Sequence, residues 1–168
     1  DLEAACITNP DGYGIAIPRD GKIEIIRSFS KKGTDPQELA KRLDELKDEQ
    51  LMIHLRFATE GDKNIDNCHP FVVTEKDKDG IDVVFCHNGT FYGYPEVDKA
   101  MSDTWHMNEQ IFKNIFSRTA KAIDPTTILD DKFLFNIIEK YRPGNSLLSF
   151  MDGNGKILNF GKGEEMPF

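Results

Sequence analysis

Two Asp-Gly signals near opposite ends of the chain constrain its fold more than any other feature. Asp20-Gly21 stands between the apolar-rich runs 13–18 and 22–28, and Asp152-Gly153-Asn154-Gly155 stands between runs 146–151 and 156–160. An Asp-Gly turn flanked by such runs reads as a β-hairpin. Hairpins at both ends predict largely antiparallel sheet and disfavour a strict alternation of parallel strands with crossover helices.

Helical signals lie between and before them. Asp35-Pro36-Gln37-Glu38 supplies an N-cap, a proline at the first helical position and a capping-box acid, after which Leu39, Leu43 and Leu46 fall on one face. Residues 2–7 read as the end of a short helix stopped by the turn Asn9-Pro10-Asp11-Gly12. Residues 50–57 and 81–87 are short, apolar and β-branched, which predicts two buried strands. Met107, Ile111, Phe112, Ile115 and Phe116 recur at helical spacing from Ser102 onward, and Phe133, Leu134, Ile137 and Ile138 do so before Pro143-Gly144. The predicted order is strands, helix, two strands, two helices, two strands, a layered α+β domain.

With 168 residues, 39% of them hydrophobic, the chain suits one domain with a proper core. Its net charge of -8, with Lys31-Lys32 as the longest basic cluster, argues against a nucleic-acid partner. No apolar stretch approaches the roughly 20 residues that span a bilayer, so no membrane is expected. Three cysteines at irregular spacing, Cys6, Cys68 and Cys86, do not suggest a secreted disulfide framework. A cytoplasmic location is the expectation.

The chemistry-bearing residues sit at the ends of the predicted strands and helices. Arg56 closes an apolar strand, where an unpaired guanidinium is costly, so it calls for an anion. An internal carboxylate could be that anion, but Thr59 and Gly61 follow in a polar loop, where function concentrates. Asn88-Gly89 ends the other strand: it is either an ordinary turn or a pair of donors for a developing oxyanion. At Ser102-Asp103 one residue is expected to cap the following helix, leaving the other free to hold an ammonium group. Together these are the parts of a site for a small amino-acid amide.

The remaining candidates are read as scaffold. His54 and His87 are expected to be satisfied core histidines, His69 structural, His106 solvated and Trp105 a packing residue. Cys68 and Cys86 each precede a histidine, but strand neighbours face opposite ways and there is no C-x-x-C pair. They are expected to be buried free thiols. No metal and no cofactor are expected.

The motifs His54-Leu55-Arg56-Phe57-Ala58-Thr59, Asn67-Cys68-His69-Pro70-Phe71, His87-Asn88-Gly89 and Ser102-Asp103-Thr104, with Asn9-Pro10-Asp11-Gly12-Tyr13-Gly14 ahead of them, resemble the glutaminase domain of class II glutamine amidotransferases. These are N-terminal-nucleophile hydrolases, and the motifs occur in the family's order across about residues 9 to 104. The resemblance implies an αββα four-layer sandwich with two stacked, largely antiparallel sheets. It implies that Arg56 binds the glutamine α-carboxylate, Thr59 helps fix the substrate's polar end and Asp103 receives the α-ammonium. Asn88 and the Gly89 N–H would form the oxyanion hole.

The family's nucleophile is an amino-terminal cysteine whose own α-amine, with a pKa of roughly 8, serves as base. This chain opens with Asp1, and Cys6 lies too close to Pro10 to substitute. The expectation is that residues 1–168 are a single domain lacking its first strand, which would carry Met-Cys in the intact protein. The expected activity is hydrolysis of glutamine through a cysteine thioester, giving glutamate and ammonia, with a separate synthase as a candidate ammonia acceptor. The alternatives are a hydrolase of another γ-glutamyl amide, a catalytically inactive amino-acid-binding regulatory module, or an unrelated α+β domain.

Overall fold

The computed structural model describes residues 1–75, 81–93 and 97–161. Its helices and strands are α1 (Leu2–Thr8), β1 (Tyr13–Arg19), β2 (Lys22–Ser28), α2 (Pro36–Glu45), β3 (Met52–Leu55), β4 (Phe71–Thr74), β5 (Val83–Asn88), α3 (Asp103–Met107), α4 (Lys113–Ala122), α5 (Lys132–Tyr141), β6 (Leu147–Asp152) and β7 (Ile157–Phe160). A π-helical segment, Asn108–Phe112, joins α3 to α4.

The strands form two sheets, ordered β2-β1-β3 and β4-β5-β6-β7, and the paired strands run antiparallel throughout. Side-chain alternation then builds four layers. On β1, Tyr13, Ile15 and Ile17 turn toward Cys6 of α1 and Leu39 of α2, while Ala16 turns the other way, into a cluster with Met52, Val84, Cys86 and Met151. That second cluster is the seam between the sheets. On β5, Val83 and Phe85 point away from the seam and pack with Met107, Phe112, Phe116, Leu134 and Ile138 of the carboxyl-terminal helices. Helix, sheet, sheet, helix is the αββα order that the family resemblance implies.

Both predicted hairpins form, and their turns meet. Asp20 and Gly21 have φ of 49° and 80°, the left-handed pair that a tight hairpin needs. The Gly21 N–H donates to Gly153 O at 3.1 Å, and the Gly21 carbonyl accepts from Asp82 N–H at 3.0 Å. The two sheets are therefore tied together at the end where β5 begins. The end where β5 finishes, at Asn88, is left for a cavity.

Several elements depart from the sequence reading. The strand predicted over 50–57 is not fully buried: β3 is an edge strand, and Ile53 is 39% exposed. Phe71–Thr74 is a strand that the sequence reading leaves out; four residues directly after Pro70 are too short a run to show a period. Glu38 does not close a capping box. Asp35 caps α2 through Gln37 N–H and Glu38 N–H, while the Glu38 carboxylate accepts from Tyr13 OH at 3.1 Å. Phe133 is 68% exposed, because Leu134 and Ile138 alone carry the buried line of α5. His106, expected to be solvated, is 1% exposed and bonds through Nε2 to Asp98 O at 2.8 Å.

Candidate active site

The open end of the sandwich holds a cavity of about 500 Å³, whose wall includes Arg56, Thr59, Asn88, Gly89 and Asp103. Residues spread over 48 positions of sequence thus share one concave surface. The fold delivers them from three places: the loop after β3, the end of β5 and the start of α3.

Arg56 is set by its own backbone. Its N–H donates to Gly12 O at 2.8 Å and its carbonyl accepts from Asp11 N–H at 2.9 Å, which continues the contact between β1 and β3 beyond the last strand residue. The side chain is 4% exposed. Nη1 donates to Asp62 O and Nη2 to Glu60 O, both at 3.1 Å, so the loop after β3 wraps the guanidinium. The sequence calls for a carboxylate partner; the hydrogen bonds go instead to main-chain carbonyls. Burial lowers the pKa of Arg56 from the ordinary arginine value, opposed by the nearby carboxylates of Asp11 and Asp103. An arginine nevertheless keeps its charge, and two of its five N–H groups serve the loop.

Asp11 holds the other side of that loop, a role the sequence reading misses. Its Oδ2 accepts from Ala58 N–H at 2.9 Å, and its Oδ1 pairs with Lys63 Nζ at 2.7 Å. Burial raises the pKa of Asp11, but the Lys63 and Ala58 bonds outweigh it and the net shift is downward. Thr59 is exposed on the loop so clamped. The only signal for Asp11 in the sequence is an acid inside a turn, which is read there as turn chemistry.

Asn88 and Gly89 end β5 with their side chain and backbone exposed to the cavity. Gly89 has φ +138°, and a Cβ there would run into Ser146 Oγ, so no other residue fits unstrained. Three histidines hold the strand just before it. β4 starts at Phe71, opposite Phe85, so β5 has no strand partner on that side at His87. Imidazoles stand in: His87 N–H donates to His69 Nδ1 at 3.3 Å, and His87 O lies 3.1 Å from His54 Nε2. The His87 ring bridges Thr104 Oγ1, 2.9 Å from Nδ1, and Ser146 Oγ, 3.0 Å from Nε2. Burial pushes His54 down to about 4, His87 to about 3 and His69 well below the usual value, so all three are neutral near pH 7. The satisfied-core reading of His87 and the structural reading of His69 agree with this geometry; His54 departs from its reading, being half-buried on the cavity wall. His54 Nδ1 is buried with no hydrogen-bond partner among the described residues.

At the third corner the capping question resolves. Ser102 caps α3, its Oγ accepting from Trp105 N–H at 3.2 Å. Asp103 is not left free as expected: Oδ2 accepts from Phe91 N–H at 2.6 Å and Oδ1 from Thr104 Oγ1 at 3.4 Å. The carboxylate thereby ties the chain after Gly89 to α3 while lining the cavity.

The three cysteines are buried, and burial raises the pKa of each, most strongly for Cys86 in the seam between the sheets. Cys68 Sγ faces the carbonyls of Asn64, Asp11 and Ser28 at 3.5 to 3.8 Å, an environment that opposes a thiolate. Among the described residues no three His, Cys, Asp or Glu side chains group as a metal site, and no helix is long and apolar enough to cross a membrane.

Comparison with known proteins identifies this architecture. A Methanocaldococcus jannaschii protein of uncharacterized function is 32% identical over 90 residues, 54% of this chain and 24% of the relative. A Haemophilus influenzae protein provisionally named a glutamine amidotransferase is 31% identical over 87 residues, 52% of this chain and 29% of the relative. The matches therefore span less than a third of either relative's own length. The family profile of the class-II glutamine amidotransferases matches residues 3–153, nearly the whole described chain, and the protein belongs to that family.

Proposed function

We propose that the cavity binds L-glutamine and that the intact protein hydrolyses its side-chain amide to glutamate and ammonia. The observation that carries this reading is the convergence of Arg56, Thr59, Asn88, Gly89 and Asp103 on one cavity of about 500 Å³, ample for one amino acid. Arg56 takes the α-carboxylate with N–H groups beyond the two that hold the loop, and Asp103 takes the α-ammonium. Thr59 hydrogen-bonds the same polar end. The side-chain amide then reaches Asn88 and Gly89, whose N–H groups receive the oxygen as negative charge develops.

In this reading a thiolate attacks the amide carbon, the oxyanion collapses with loss of ammonia, and water hydrolyses the thioester to release glutamate. None of Cys6, Cys68 and Cys86 is suited to the attack, since burial disfavours each thiolate. In the family that the motifs resemble, the attacking sulfur belongs to an amino-terminal cysteine with its own α-amine as base, and the proposal requires the protein to supply such a group. The released ammonia goes to solvent or to a separate synthase, and three free cysteines suit a reducing, cytoplasmic setting for the reaction.

A second reading, an amino-acid-binding regulatory module, draws on the same poverty of thiolate chemistry among the described cysteines. Two measurements separate them. Calorimetry on this chain is expected to show L-glutamine binding that Arg56→Ala abolishes; unchanged binding in that variant removes the pocket assignment. Ammonia release by the full-length protein then distinguishes an enzyme from a module that binds without turnover.

A further inference from the structure

On the reading of the cavity as a glutamine site, we infer that Asn67 sets the spacing between Arg56 and Asp103 and thereby makes the site selective for α-amino acids. An α-carboxylate and an α-ammonium hang from one carbon. The cation and the anion that hold them must keep a fixed separation, or one of the two contacts is lost.

Arg56 and Asp103 belong to different segments, and one side chain joins those segments. Asn67 is 0% exposed, at the end of the 3-10 turn Ile65–Asn67, with its own N–H donating to Asn64 Oδ1 at 3.0 Å. Its Nδ2 donates to Asp62 O at 3.0 Å and to Ala100 O at 2.8 Å, and its Oδ1 accepts from Ser102 N–H at 2.9 Å. Asp62 O is the same carbonyl that receives Arg56 Nη1. Ser102 is the residue that caps α3 and so fixes where Asp103 begins. The chain of contacts therefore runs from the Arg56 guanidinium through Asp62 O and the Asn67 amide to the start of α3.

The segments also touch directly, and the amide fixes the register of that contact, which is how it sets the spacing. Asp62 N–H donates to Ala100 O at 2.8 Å, and a Cβ on Gly61 would lie 2.7 Å from both Met101 C and Ser102 N. Both amide hydrogens and the amide oxygen of Asn67 are in use, so no isosteric residue reproduces the bridge. Asp at this position keeps an acceptor for Ser102 N–H but turns carboxylate oxygen toward two carbonyls.

The test compares binding of L-glutamine with binding of 5-amino-5-oxopentanoate, which lacks only the α-ammonium, by calorimetry on this chain, with the melting temperature recorded alongside. Wild type is expected to prefer L-glutamine. In Asn67→Ala and Asn67→Asp that preference should fall by about tenfold or more, because an ion pair to a displaced partner is lost, while 5-amino-5-oxopentanoate binding stays within about threefold. A selective wild type whose preference survives in a folded Asn67 variant, whatever the loss in melting temperature, overturns the inference and leaves Asn67 a scaffold residue. Should Asn67→Ala fail to fold, the isosteric Asn67→Asp decides by the same ratio. A wild type that shows no preference overturns the reading of the cavity itself, which is seen before any variant is made.

Discussion

The His87 N–H donates to Nδ1 of His69 at 3.3 Å, so a side chain takes the place of a missing strand at the end of β5. A bond of that sense requires an unprotonated Nδ1. Protonation of that nitrogen is incompatible with the bond, so acid favours the unfolded chain.

The sign follows from the shifts. Unfolded histidine titrates near pH 6.5, whereas burial holds His54 to about 4 and His87 to about 3 in the folded chain. Between those values the unfolded state binds more protons, so stability falls as pH drops through that window and gains nothing further above it. Each pKa unit corresponds to about 1.4 kcal/mol, which makes the combined loss several kcal/mol at the acid end. Melting curves from about pH 7 to about pH 4 should show this fall, and His69→Asn, which offers an Oδ1 acceptor without titrating, should show a shallower one.

Gly89→Ala is expected to cost about 2 kcal/mol or more, from a φ of +138° and the collision of the new methyl with Ser146 Oγ. Adding Ser146→Gly relieves the collision but leaves the backbone strain and removes the Ser146 Oγ–His87 Nε2 contact, whose cost the Ser146→Gly single variant reads. Measured against the Ser146→Gly single variant, denaturant unfolding of the double variant should recover only part of the Gly89→Ala loss; full recovery shows that the conformation itself carries no cost.

Much of this molecule is legible in its sequence because local rules and tertiary demands agree. The hairpin turns at Asp20-Gly21 and Asp152-Gly153, the Asp35 cap and the buried strand at Val83–Asn88 are each written in a few adjacent residues. The residues that line the cavity are legible for a related reason, since polar motifs at strand ends stand out against apolar runs. The bridges between them are not. Asp11 and Asn67 act through carbonyls and N–H groups of distant segments, and main-chain partners leave no mark on composition. Asp103 is half legible: its place at the helix start follows from Ser102, but its bond to Phe91 N–H depends on how the chain returns after Gly89.

Two phenylalanines of adjacent layers, Phe150 on β6 and Phe133 on α5, should behave differently. Phe150 is fully buried, stacked on Phe85 and Phe116 at 5.3 Å each, and Phe150→Ala should cost about 3–5 kcal/mol. Phe133 projects from α5 into solvent, and Phe133→Ser should change stability by no more than about 0.5 kcal/mol. Chemical denaturation of both variants checks the burial of β6 in the core and the outward face of α5.

Asp103→Asn separates the two things that Asp103 does. Its Oδ2 accepts from Phe91 N–H at 2.6 Å, a bond that an amide oxygen can also accept, so the tie between α3 and the chain after Gly89 survives the change. The negative charge does not survive, and with it goes the partner proposed for the substrate ammonium. The melting temperature should stay within a few degrees of wild type, since a neutral acceptor forfeits only about 1 kcal/mol of charge assistance. L-glutamine affinity should drop by about tenfold or more, while 5-amino-5-oxopentanoate, which has no ammonium to lose, should bind as before or better. Equal losses for the two ligands would mean that Asp103 shapes the cavity without meeting the amine.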